Sequence, residues 1–101
     1  MVKLDVVALT PEGKRVNVSV RISAPERAAD ASWTCKVEVA PLQAQALTVR
    51  GVDSFHAVWL ACSLILKLLE QLRSGGGQIL NTDGTEFPLE AYLSGLGGKP
   101  R

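Results

Sequence analysis

The sequence predicts an α+β fold: an antiparallel sheet of four to five strands, one long helix packed on one face, and a short C-terminal hairpin or helical turn. Three observations carry this expectation. The first half of the chain alternates apolar and polar residues with period two. One helix-forming stretch follows, from Gly51-Val52-Asp53-Ser54 to Leu72-Arg73, and Ser74-Gly75-Gly76-Gly77 closes it. The 101 residues, 47% apolar and 21% charged, suffice for one core and not for two. A single domain over residues 1–94 is expected, with residues 95–101 as a flexible C-terminal tail.

Arg15 to Ser23 is the clearest strand, with Val16, Val18, Val20 and Ile22 on one face and Asn17, Ser19, Arg21 and Ser23 on the other. Such alternation belongs to a sheet covered on one side, which favours antiparallel pairing. Val2 to Leu9 forms a second strand of unresolved polarity, because Leu4, Val6 and Ala8 compete with Val7 and Leu9 for the core. The turn chemistry of Thr10-Pro11-Glu12-Gly13-Lys14 makes these two a hairpin. Ala24 to Ala31 reads as a loop. A third strand at Ser32 to Val39 directs Trp33, Cys35, Val37 and Val39 inward, and a fourth at Ala46 to Arg50 directs Leu47 and Val49 inward.

Asp53 or Ser54 can cap the helix, since a short side-chain oxygen accepts from its first free N–H groups. At about 100° per residue, Val58, Ala61, Cys62, Ile65, Leu68, Leu69 and Leu72 form the core face. His56, Ser63, Lys67 and Glu70 lie opposite. Phe55, Trp59 and Leu66 flank the core face on one side, Leu60 and Leu64 on the other. A sheet covers one face of a helix, so at least one flank needs a further cover. The C-terminal segment can supply part of it: a short strand at Gln78-Ile79-Leu80-Asn81, an Asp83-Gly84 turn, and a helical turn over Pro88 to Leu93. What remains can be covered by a second copy of the chain or by loops within a monomer.

Composition narrows the function classes. A formal net charge of +1 argues against nucleic acid and anionic membrane as partners. The N-terminus lacks the long apolar run of a signal peptide, and Ala57 to Leu66 is too short to span a bilayer, so a cytoplasmic location is expected. Cys35 and Cys62 both sit in apolar patterns and read as buried free thiols. The glycines after the helix are a stop signal, since a phosphate loop precedes its helix.

Catalytic chemistry finds little footing. His56 is the only histidine, and it stands about 240° around the helix from Cys62, so the two cannot act as base and nucleophile. The acidic residues are scattered, with no spacing that reads as an acid–base couple or a calcium loop. No catalytic residue, metal ligand or cofactor is assigned. Asp53, Ser54 and His56 remain as candidates for the rim of a pocket at the helix N-terminus. Phe55, Trp59, Leu60 and Leu66 are the candidates for an interaction surface. The outward sheet face, with Asn17, Arg21, Lys36 and Arg50, has no interleaved aromatics and so does not read as a nucleic-acid platform.

The stretch Val49-Arg50-Gly51-Val52-Asp53-Ser54-Phe55-His56-Ala57-Val58-Trp59-Leu60-Ala61 resembles a family of small bacterial proteins of unknown function. In that family, strands lead into a Gly-x-Asp-Ser-hydrophobic-x-Ala helix opening. Val18 to Ile22, the Pro25 loop and Trp33-Thr34-Cys35 are similar to its earlier part, so the likeness covers roughly residues 12 to 72. The resemblance implies the strand-then-helix order and no activity. The expected function is therefore that of a non-enzymatic bacterial protein-binding module, of immunity or antitoxin type or dimerising. The alternative is a small-molecule-binding or enzymatic domain with its pocket at the N-terminus of the long helix.

Overall fold

The structure, a computed structural model, describes residues 2–94. The tail expected at 95–101 lies outside them. The chain forms β1 (Val2–Leu9), β2 (Arg15–Ile22), β3 (Glu26–Arg27), β4 (Trp33–Ala40), β5 (Leu47–Gly51), α1 (Ser54–Ser74), β6 (Gln78–Leu80) and α2 (Leu89–Ser94). All pairings are antiparallel in one six-stranded sheet. The α+β architecture is as the sequence predicts, with more strands than expected.

The register resolves the polarity of β1. Leu4 pairs with Val20, Val6 with Val18 and Ala8 with Val16, so the even-numbered residues of both strands share the inner face. β6 brings Ile79 beside Ala8 on the other side of β1. Val20 and Ile22 then meet Val39 and Val37 of β4, which in turn sets Cys35 against Val49 of β5. These side chains join one buried cluster. Val7 is also buried, on the outer face between Asn17 and Leu80, and stands apart from that cluster.

The segment read as a loop at Ala24 to Ala31 contains the extra strand. Between the Ile22–Val37 and Glu26–Thr34 pairs, Ser23, Ala24 and Pro25 face only Cys35 and Lys36. This is a β-bulge, which lets β2 continue along β4 as β3. Ser23 bridges the irregularity: its N–H donates to the Lys36 carbonyl at 2.9 Å, and its hydroxyl accepts the Lys36 N–H at 2.8 Å. The C-terminal segment makes the short strand β6, a turn across which the Asn81 N–H donates to the Thr85 carbonyl at 2.7 Å and the Phe87 N–H to the Ile79 carbonyl at 3.0 Å, and the expected helical turn as α2.

Helix α1 crosses the inner face over β4 and β5 and reaches β6 and α2 at its C-terminal end. Its buried residues are Ala57, Ala61, Ile65 and Leu69. The core face is therefore turned toward Ala57 relative to the expected one, and Cys62 is exposed where burial was predicted. The cause is Gly51. A Cβ there would lie 2.5 Å from the Ala57 nitrogen and 2.9 Å from the His56 carbonyl carbon. Glycine is needed here so that the end of β5 can touch the helix backbone, and the alanines keep the contact close. Both cysteines are free; burial pushes the Cys35 thiol above its ordinary pKa.

The helix ends as its glycines require. Gly76 takes φ +101°, its N–H donates to the Arg73 carbonyl at 3.0 Å, and the Gly77 N–H donates to the Leu72 carbonyl at 3.2 Å. This is a Schellman motif, which satisfies carbonyls left free at a helix end. By length and composition the whole of α1 would also suffice to cross a bilayer. Here one face of it closes the core of a sheet.

Gly51→Ala should lower stability by about 2–3 kcal/mol, because the added methyl must displace backbone rather than a side chain. Gly75→Ala should change it by under about 0.5 kcal/mol, since φ there is −79° and the nearest atoms stand 3.6 Å away. Urea-denaturation midpoints of the two variants check the contrast.

Candidate interaction surface

The start of α1 uses its polar residues on its own backbone. Asp53 is the N-cap in extended conformation (φ −148°, ψ 176°), and its carboxylate accepts the His56 N–H at 2.7 Å. His56 answers in the reverse direction: its Nδ1 accepts the Val52 N–H at 3.0 Å. The pair works like a capping box displaced by one residue, in which two donors without helical partners are satisfied reciprocally. Ser54 is the first helical residue and is half-buried. The three pocket candidates are thus adjacent, and two of them are engaged in capping. Among the described residues, no group of three or more His, Cys, Asp or Glu side chains could hold a metal ion.

The flank of α1 is different. Phe55 is 78% exposed and Trp59 58% exposed, on a helix whose Ala57 and Ala61 are wholly buried. Val52, at 78%, precedes them just outside the helix, before the N-cap. Cys62 and Leu66 continue the same line toward the C-terminus, Cys62 exposed and Leu66 half-buried. Leu60 is half-buried and, at about 100° per residue, points to the opposite flank. The four candidate residues thus lie on the two flanks that the sequence predicts, three sharing one stripe and Leu60 on the other side. The additional member within the helix, Cys62, follows from the alternating three- and four-residue spacing of the line, and Val52 adjoins it from just before the N-cap. That signal is present in the sequence but is masked there by the apolar residues of the core face.

The stripe runs into a groove. Between α1 and the inner face of β1 and β2 lies a hollow of about 260 Å³ lined by Val2, Leu4, Val20, Ile22, Cys62, Ile65, Leu66 and Tyr92, and by one charged residue, Lys3. It exists because β6 pairs only with Val7 to Leu9, and because α1 sits over the β4–β5 side of the sheet. The C-terminal segment closes the far end of the core and leaves this side open. Phe87 and Leu89 are buried, Tyr92 stacks on Phe87 with ring centroids 4.9 Å apart, and Arg73 holds Glu90 at 2.8 Å.

Of the charged contacts, the Lys3–Asp5 pair, at 3.9 Å, stands at the groove, while Asp30 and Asp83 are not among its lining residues. Asp30 Oδ1 accepts from the Ser32 N–H at 3.0 Å and its hydroxyl at 2.5 Å, and Arg50 reaches Oδ2 at 3.3 Å. The Ser32 bonds and, less, the Arg50 charge hold the Asp30 carboxyl below the ordinary aspartate value. Asp83 is lowered in the same way by the N–H and hydroxyl of Thr85. The cluster ties the β3–β4 turn, where Ala31 adopts φ 70°, to the edge strand β5.

The model of a family described as a domain of unknown function (DUF6968) matches residues 6–89. The chain belongs to that family. The match runs from the middle of β1 to the first residue of α2, so it takes in most of the sheet and the whole capped helix, while Val2, Lys3, Leu4 and Tyr92 of the groove lie outside it. No curated protein and no solved structure matches the chain.

Two outcomes test the local chemistry. Asp53→Ala should cost about 1 kcal/mol of stability and Asp53→Asn a few tenths at most, because asparagine keeps the capping oxygen; thermal unfolding distinguishes them. The Asp30 carboxyl should titrate below the ordinary value by NMR and move back toward it in Ser32→Ala. Its native pKa is depressed, so its stabilising contribution is present above the unfolded-state pKa and disappears as pH falls through the folded one.

Proposed function

We propose that the protein is a non-enzymatic protein-binding module whose contact surface is the Phe55–Trp59 flank of α1. One observation carries this reading: two large aromatic side chains stand 78% and 58% exposed on a helix that otherwise serves as the lid of the core. Exposing that area to water is unfavourable, and aromatic residues in such positions are the usual anchors of an interface. Asp53 and His56, the polar groups at the helix start, are bonded to backbone, which supports a structural role for them.

Within this reading the setting is a bacterial cytoplasm. The specific form is an immunity- or antitoxin-type protein that occludes its partner, or a module that dimerises. The small size and the net charge of +1 suit recognition by apolar fit rather than by electrostatic attraction to nucleic acid or to an anionic membrane.

The test uses the full chain immobilised in a bacterial lysate. The double variant Phe55→Lys/Trp59→Lys should keep the native circular dichroism spectrum, since neither side chain is part of the core, and should lose the protein retained by the wild type. Equal retention by both proteins, or a copurifying metabolite with no retained protein, would overturn the reading.

A further inference from the structure

The exposed stripe has the spacing of a helix-pairing seam. Along α1, Phe55, Trp59, Cys62 and Leu66 follow one another at intervals of four, three and four residues, and Val52 stands exposed just before the helix. That sequence of intervals keeps a narrow apolar line on one side of a helix and is the pattern by which one helix seats against another. It is separate from the line Ala57, Ala61, Ile65 and Leu69, which the sheet already occupies. An extended peptide would have no use for it, because a strand reads every second residue.

Knob and hole occur on the same chain. Phe55 projects at one end of the seam, and the groove of Val2, Leu4, Leu66 and Tyr92 opens at the other. A two-fold axis passing between Trp59 and Cys62 is equidistant in sequence from Phe55 and Leu66. Antiparallel pairing about that axis sets Phe55 of each copy at the partner's groove and Trp59 opposite the small Cys62. Such reciprocity is what an isologous contact requires. None of Phe55, Trp59, Cys62 and Leu66 is charged, and Asp53 and His56 at the helix start are bonded to backbone N–H groups, so the pairing buries no unpaired charge along the seam.

The available area is adequate. A whole aromatic side chain presents about 150–250 Å², so the exposed parts of the seam, Val2 and Tyr92 amount to roughly 600 Å² per copy. Two copies then bury on the order of 1,200 Å², which reaches the lower bound of a specific interface.

We infer that the occupant of this surface is a second copy of the chain, with the two α1 helices antiparallel and Phe55 of each seated in the other's groove. The inference rests on the proposed binding role of the same flank and names its partner. Because the seam lies on a flank of α1 and not opposite the sheet, the two helices meet side by side, each still on its own sheet, with the polar outer faces of both sheets left to solvent.

Sedimentation equilibrium of the full chain over a concentration series tests it. The expected mass is twice 10.8 kDa, falling to the single mass in Phe55→Asp and in Trp59→Asp. Both variants should keep the native circular dichroism spectrum, because the substituted side chains are exposed. A second measurement reads the register. With Cys62→Ser in the background, Phe55→Cys combined with Leu66→Cys should give an intermolecular disulfide on mild oxidation, while Phe55→Cys alone should not. A wild-type chain that stays monomeric, a dimer that survives both aspartate variants, or a disulfide formed equally by Phe55→Cys alone would each overturn the inference. If the wild type is monomeric yet the lysine double variant loses a retained cellular protein, the binding role stands and only the self-pairing fails. If neither property responds to the flank, both fail.

Discussion

The close approach of the first turn of α1 to the end of β5 is the constraint on which the rest of the arrangement depends. With no side chain at Gly51 and only methyl groups at Ala57 and Ala61, backbone meets backbone, and the helix is anchored over the β4–β5 half of the sheet. Farther along, Ile65 and Leu69 fill the space above the central strands. Anchoring the helix at one side of the sheet has a consequence on the other. The inner face near Val2, Leu4 and Ile22 is left with a groove beside it, and the stripe that begins at Phe55 is turned outward.

The polar groups at the helix ends support that placement. Asp53 and His56 satisfy donors at the start, and the Gly76–Gly77 bonds satisfy acceptors at the end. Neither end depends on a ligand. The apparent Asp-Ser-His cluster is thus explained by the need of any helix to partner its terminal groups. What the helix leaves unexplained by its own stability is the exposed aromatic flank, and this is why the functional reading rests there.

The candidate surface was only partly legible in the sequence. Phe55, Trp59 and Leu66 could be placed outside the core face by helical periodicity, because the polar arc at His56, Ser63 and Lys67 marks the solvent side. The same periodicity sets Leu60 on the opposite flank, but it assigns Cys62 to the core, whereas the structure exposes it. A helix apolar over most of its circumference has several nearly equivalent ways to face a sheet, and a few tens of degrees of rotation exchange Cys62 for Ala57. The bulge at Ser23 was equally hidden, since it depends on where β2 meets β4 and not on local composition.

By itself the sequence determined the order of elements, the inner residues of β2 and β4, the capped start of the helix and its glycine stop. These follow from short-range physics: period-two alternation, side-chain capping and the positive φ that glycine accepts. The inward face of β1, the continuation of β2 as β3, the rotation of α1 and the groove beside it were decided only in the tertiary structure. Each depends on contact between residues distant in the chain, above all Gly51 against Ala57 and β1 between β2 and β6. Local preference does not specify which of several apolar faces will find the partner that buries it.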